Sequence, residues 1–271
     1  MRFAPACAML MAAFAGGASA EVCPQPASGE TEIYPSAAVL PANLLRAYLY
    51  FPRPMGRGDI LEHIALRDAS GADVPGAFLG TRYTLWSQDR QRLTLLFDPG
   101  RVKTGLAAHD ALGRALQEGA RYTLVVRGSA QDSQGCPLGA DIVHGFAVGP
   151  ADLTAPDPRT WSLTLPSQGS TAPLSVDLGE PHDHLSLAYR LRVVNGEGAP
   201  VAGRIDLERG ERVWRFTPRN PWAAQSYTLT IDPSLEDLAG NRPGVVFDRP
   251  VGEDAAEAVA ALPFRPAAAP E

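Results

Sequence analysis

Trp214-Arg215-Phe216-Thr217-Pro218, then Tyr227-Thr228-Leu229-Thr230-Ile231, then Leu235-Glu236-Asp237-Leu238-Ala239-Gly240-Asn241 form the stretch from which the fold is read. In the middle group large apolar residues alternate with threonines. Successive side chains of a strand point to opposite faces, so the spacing predicts a strand with Tyr227, Leu229 and Ile231 inward. The last group predicts the turn that ends it. An aspartate hydrogen-bonds its own downstream backbone, and Gly and Asn tolerate positive φ.

A weaker copy lies upstream: Leu95-Leu96-Phe97-Asp98-Pro99, Tyr122-Thr123-Leu124-Val125-Val126 and Asp132-Ser133-Gln134-Gly135-Cys136. One offset of 105 relates Tyr122 to Tyr227, Asp132 to Asp237 and Gly135 to Gly240. Phe97 and Phe216 are 119 apart, so the first copy carries 14 extra residues (119 − 105) between its Phe and its Tyr. That insertion, 100–119, reads as a solvated turn with one short helix. Two copies predict an all-β chain of two tandem sandwiches. The 25 prolines and 26 glycines agree, because they suit many strands joined by turns, and no long stretch has the 3.6-residue period of an amphipathic helix.

Residues 1–20 read as a secretory signal peptide: Arg2, an apolar run around Met9 to Phe14, and Ala18-Ser19-Ala20 before the cut. The apolar run is too short to span a bilayer, and Cys23 lacks the small-residue context of a lipid-attachment site. The expected mature chain starts near Glu21 and is periplasmic or secreted. Its first domain is expected over 21–148, a stiff Pro-rich linker over 149–158 and a second domain over 159–251. The Ala/Pro-rich stretch 252–271 is expected to be a disordered tail. Within the second domain, Leu187 to Val194 reads as a long β-prone run.

Once Cys7 leaves with the leader, Cys23 and Cys136 remain, and an exported chain with two cysteines pairs them. Free thiols or a metal pair are the alternatives, but no CxxC or nearby histidine favours them. The net charge of −6 argues against a nucleic-acid partner, since phosphate binding needs a basic face.

Val201-Ala202-Gly203 together with the three groups quoted first resembles the bacterial Ig-like domains of surface-layer and other exported proteins. The resemblance covers most of the mature chain, the second half more clearly. It implies Greek-key sandwiches of about seven strands, used as a spacer, adhesion or binding module, with the fold carrying over more safely than any activity.

Function classes are then weighed on side chains. No G-x-S-x-G elbow occurs, Glu236 and Asp237 are adjacent and so point apart, and no catalytic residue is assigned. No cofactor is expected. His182 and His184, two apart on an expected strand, are the weak metal candidates. Asp132 and Asp237 read as turn residues rather than calcium ligands, because each sits in a five-residue turn. Trp161 and Trp222 are the candidates for stacking on a sugar. The reading is a non-enzymatic, monomeric envelope module whose partner is an envelope protein or a glycan; the alternative is a periplasmic metal- or carbohydrate-binding protein. Tyr122 and Tyr227 are expected to be buried against Phe97 and Phe216, with their hydroxyls on nearby backbone groups.

Overall fold

The computed structural model describes residue 23 and residues 31–80, 85–104, 106–248 and 260–268. The signal peptide expected at 1–20 lies outside them, as does most of the predicted tail. Fifteen strands are described: β1 Glu32–Tyr34, β2 Val39–Pro41, β3 Arg46–Tyr50, β4 Ile64–Asp68, β5 Leu85–Trp86, β6 Arg92–Leu96, β7 Arg121–Val126, β8 Ile142–Gly149, β9 Ser162–Thr164, β10 Leu174–Asp177, β11 Leu191–Asn195, β12 Gly203–Glu208, β13 Val213–Pro218, β14 Tyr227–Ile231 and β15 Ala261–Phe264. Three short helices interrupt them: α1 Pro99–Val102, α2 Ala107–Leu112 and α3 His184–Arg190.

The strand orders identify the architecture. In the second half, β9-β10-β13-β12 faces β11-β14-β15. Lettered in chain order, these are the ABED and CFG sheets of an immunoglobulin constant-type sandwich. In the first half, β1-β3-β6-β5 and β4-β7-β8-β2 repeat that order, with β2 added parallel to β8. The chain is therefore all-β, with two Ig-like sandwiches in tandem.

The inward faces lie where the alternation places them. Tyr227, Leu229 and Ile231 are buried, as are Tyr122, Leu124 and Val126. The Tyr122 hydroxyl accepts from Gln117 N at 3.1 Å, and the Tyr227 hydroxyl accepts from Ala223 N at 3.0 Å. The ring partners differ from expectation. Each tyrosine sits across the ladder from a phenylalanine of the last strand, Tyr122 from Phe146 and Tyr227 from Phe264, and stacks on it. Phe97 and Phe216 contribute to the same cores but face Phe78 and the Trp214–Trp222 cluster instead.

Phe264 belongs to the stretch expected to be disordered, and β15 corrects that expectation over residues 261–264. The segment has few large apolar residues, but it adds to an edge already built. Four residues pair with β14, and Phe264 is buried among Trp222 and Tyr227. The β-prone run from Leu187 is also corrected. Its first part is α3, because the Asp183 side chain caps the amide of Ser186 at 2.8 Å, and only from Leu191 does the chain turn into β11. The disulfide joins Cys23 to Cys136 across a sequence separation of 113.

The insertion holds α1 and α2. Buried Arg101 knots them to the loop below by donating to the carbonyls of Pro75, Gly113 and Arg114.

Candidate functional site

The chemistry gathers where the two sandwiches meet. The turn Asp237–Asn241 closes on itself, the Asp237 Oδ1 accepting from Ala239 N and Asn241 N. This presents Leu238 to the first domain, where it joins the core cluster of Leu40, Leu44, Leu45 and Phe97 and is 5 % exposed. Leu45 N donates to the Leu238 carbonyl at 3.0 Å. Gly240 has φ +82°, a conformation that favours glycine, and a Cβ there would lie 2.6 Å from Leu45 Cδ2, so the leucine would have to shift.

The predicted linker is strapped to both halves. Asn43 and Asp152 exchange hydrogen bonds, Asn43 Nδ2 to Asp152 O and Asp152 N to Asn43 Oδ1, each 2.8 Å. Asn241 Nδ2 donates to the carbonyls of Asp152 and Thr154 at 3.3 Å. Phe247 packs beside Lys103 of the insertion, and Thr104 Oγ1 donates to Asp248. Independent domains on a spacer are therefore not what this junction forms.

Charged groups are buried along the seam. Arg46 of β3 donates to Glu236 at 2.6 Å, and Arg242 donates to the other oxygen of the same carboxylate. The Tyr48 hydroxyl donates to Asp183 at 2.7 Å. Burial pushes Asp183 above its usual range, with Arg46 and that hydrogen bond acting against it. Further along, Glu211 accepts from Ser36 N and Ser36 Oγ at 2.7 and 2.8 Å. Each carboxylate thus has a partner from the other domain, as buried charge requires.

One group differs. Asp152, Glu180 and Asp237 offer carboxylate oxygens within 4.8 Å of one another, the one such cluster among the described residues spaced to share a cation. Burial, and after it the charge of Asp152, pushes Asp237 up to about 8 and Glu180 up to about 7. Burial and closeness thus favour the protonated forms of Asp237 and Glu180.

Beside the seam opens a crevice of about 460 Å³. Arg46 and Arg92 line it from the first domain; Arg190, Arg192 and Arg242 line it from the second. Tyr189 stands at its side and is 61 % exposed. In a chain of net charge −6, this is a local concentration of positive charge. A second cavity, of about 450 Å³, lies in the first domain, where His63 Nδ1 and Ser129 Oγ are 3.0 Å apart. Among the described residues no hydrogen-bonded carboxylate orients that imidazole; His63 is half-buried and Ser129 exposed.

Comparison with known proteins adds the following. No protein-family model and no curated protein matches the chain. Solved structures overlap it loosely. Native α2-macroglobulin from Escherichia coli, spanning domains MG0-NIE-MG1, is 12% identical with a TM-score of 0.28, covering 89% of this chain and 73% of that one. The D1-D2 fragment of Rst is 8% identical with a TM-score of 0.22, covering 89% and 100%. The tandem Ig repeats of Dlar are 13% identical with a TM-score of 0.22, covering 75% and 90%. The Ig-type strand orders stand on the sheets themselves. Among the described residues no helix is long and apolar enough to cross a membrane.

The predicted site residues fare unevenly. His182 and His184 do not share a strand face, because His184 opens α3. His182 is 0 % exposed, packs edge-on against Trp161, and its Nδ1 faces the Glu180 carbonyl at 3.1 Å; burial lowers it to about 4. His184 stacks on Tyr34 at 3.6 Å between centroids. Trp161 and Trp222 are 7 % and 1 % exposed, so neither offers a face for sugar stacking. Trp222 fills the second core and donates its Nε1 to the Ala172 carbonyl. Among the described residues the exposed aromatic ring is Tyr189, for which the sequence analysis gives no role. Its neighbours Arg190 and Arg192 were the visible signal: basic residues in an acidic chain.

Proposed function

We propose that the chain is a non-enzymatic, exported module of the bacterial envelope that binds or scaffolds a partner as one rigid two-domain body. The observation that carries this reading is the domain junction. Leu238 completes the core of the first domain while Arg46, Tyr48 and Ser36 hold carboxylates of the second. A junction built this way holds the two sandwiches and the crevice in fixed relation, which is what a recognition surface needs. The disulfide agrees with an oxidising compartment. The leader at 1–20, a mature domain from residue 21, and a monomeric state belong to the same proposal.

Export and inertness test it together. The mature chain is expected in the periplasm or medium with Glu21 at its N-terminus, without turnover of ester, amide or glycoside probes. Retention in the cytoplasm with the leader intact overturns the reading, and so does turnover that Ser129→Ala abolishes. Cross-linking on intact cells then identifies the envelope protein or glycan that is bound.

A further inference from the structure

We propose that the junction crevice binds an acidic sugar, meaning a saccharide that carries carboxylate or phosphate groups; this rests on the binding-module reading above. Five guanidinium groups from the two domains converge on about 460 Å³, a volume in the range of small-ligand sites. Only two carboxylates line the same space, Asp183 and Glu236. Both are already engaged, Glu236 by Arg46 and Arg242, and Asp183 by the Tyr48 hydroxyl and the Ser186 amide. Arg190 has Asp232 at 3.1 Å. Arg92 and Arg192 form no ion pair among the described residues. Arg92 stands on β6 of one sandwich and Arg192 on β11 of the other, so a ligand held by both spans the junction.

A second observation comes from Arg92. Its guanidinium lies beside the Tyr50 hydroxyl, but its Nε is buried and has no hydrogen-bond partner. Buried donors are normally satisfied, and a ligand oxygen in the crevice would satisfy this one. Arginine rather than lysine suits the task, because its planar fork matches carboxylate and phosphate oxygens in pairs. Tyr189 distinguishes a sugar from a bare anion. Its ring, exposed beside these cations, offers a flat apolar face to the C–H side of a pyranose.

The test is calorimetric titration of the full mature protein with four probes: digalacturonate, glucose 1-phosphate, neutral galactobiose and inorganic phosphate. The two acidic sugars are expected to bind and galactobiose not to. Their affinity is expected to fall as salt is raised, since paired charges at a solvent-open site are screened. Arg92→Gln/Arg192→Gln is expected to weaken them more than about tenfold. Tyr189→Ala is expected to weaken them several-fold and to leave inorganic phosphate unchanged. Should the Arg92 substitution impair folding, Tyr189→Ala/Arg192→Gln tests the same claim on two exposed side chains. Binding by neither acidic sugar, or binding that survives the arginine substitutions, overturns the assignment. Inorganic phosphate that matches glucose 1-phosphate, with no effect of Tyr189, overturns it as well. Cross-linking to an envelope component that persists while the acidic sugars fail sinks the ligand and leaves the module reading standing.

Discussion

In the turn Asp132–Cys136 the aspartate Oδ1 accepts the amides of Gln134 and Cys136, each at 2.9 Å. In the turn Asp237–Asn241 the same oxygen accepts those of Ala239 and Asn241 at 2.8 and 2.9 Å. Backbone and aspartate are alike, and the fourth residue is a glycine at φ +82° in both. The second and fifth positions are not alike. Ser133 and Cys136 give a turn tied covalently to Cys23, with Arg53 Nε 2.9 Å from the free Asp132 oxygen. Leu238 and Asn241 give a turn that plugs the neighbouring core and straps the linker. A Cβ on Gly135 would meet nothing within 4 Å, whereas one on Gly240 would press on Leu45. The local motif sets the shape; two variable positions decide whether the turn is stapled within its own domain or docked on another.

The largest expected effect breaks the staple. Cys23→Ala removes the cross-link and is expected to cost about 4–5 kcal/mol on the chain-entropy view of a loop this long. Urea unfolding measures it, and an unmoved midpoint would mean that the first turn holds without its bridge. Breaking the dock comes next. Leu238→Ala is expected to cost about 3 kcal/mol, as for buried leucines. The informative feature is which core loosens: amide exchange is expected to rise at Leu44 and Phe97, in the domain that was not mutated. Protection lost only around Leu229 and Trp214 would show the dock to be incidental.

Much of this was legible beforehand. The 105-residue offset located both strand–turn units, and the threonine alternation set which face is inward. The docking was not legible, because it depends on what Leu238 meets in three dimensions, and a leucine in a turn has no local signature. β15 was hidden for a related reason. Ala261-Leu262-Pro263-Phe264 has weak strand propensity of its own and is ordered by the edge that β14 offers. Phe146 and Phe264 are 118 apart, so the stretch between the last two strands is 13 residues longer in the second copy (118 − 105), and the repeat fell out of step there. The burial of Trp222 has no local signature either, since Asn220, Pro221, Ala223 and Ala224 around it form no strand pattern.

A smaller effect concerns the two tyrosines, which the copies share. Tyr122→Phe and Tyr227→Phe are each expected to cost about 1–2 kcal/mol, because each leaves a backbone amide without its acceptor. Near-equal losses in chemical denaturation would confirm that the copies agree here. A loss in only one would mark a second point of divergence.

The smallest effect is electrostatic and sets the docked turn apart. Asp237 and Glu180 have folded values near 8 and 7, above the ordinary carboxylate value of about 4. The folded state therefore holds protons that the unfolded chain has released. Their contribution is fully present below pH about 4 and is lost as pH rises toward 7 and 8. Glu180→Gln removes one charge from the trio and is expected to flatten that decline, adding under about 1 kcal/mol at pH 8. Thermal midpoints of the two proteins from pH 5 to 8.5 decide it; parallel curves would remove the trio from the account.

The shared core also imposes an order in time. A chain that emerges N-terminus first delivers all eight strands of the first sandwich before residue 150, yet the leucine that fills its core is residue 238. Until then the first core lacks one of its buried side chains. Closing that core therefore needs the second sandwich, and a chain that ends between the two lacks the leucine that completes it.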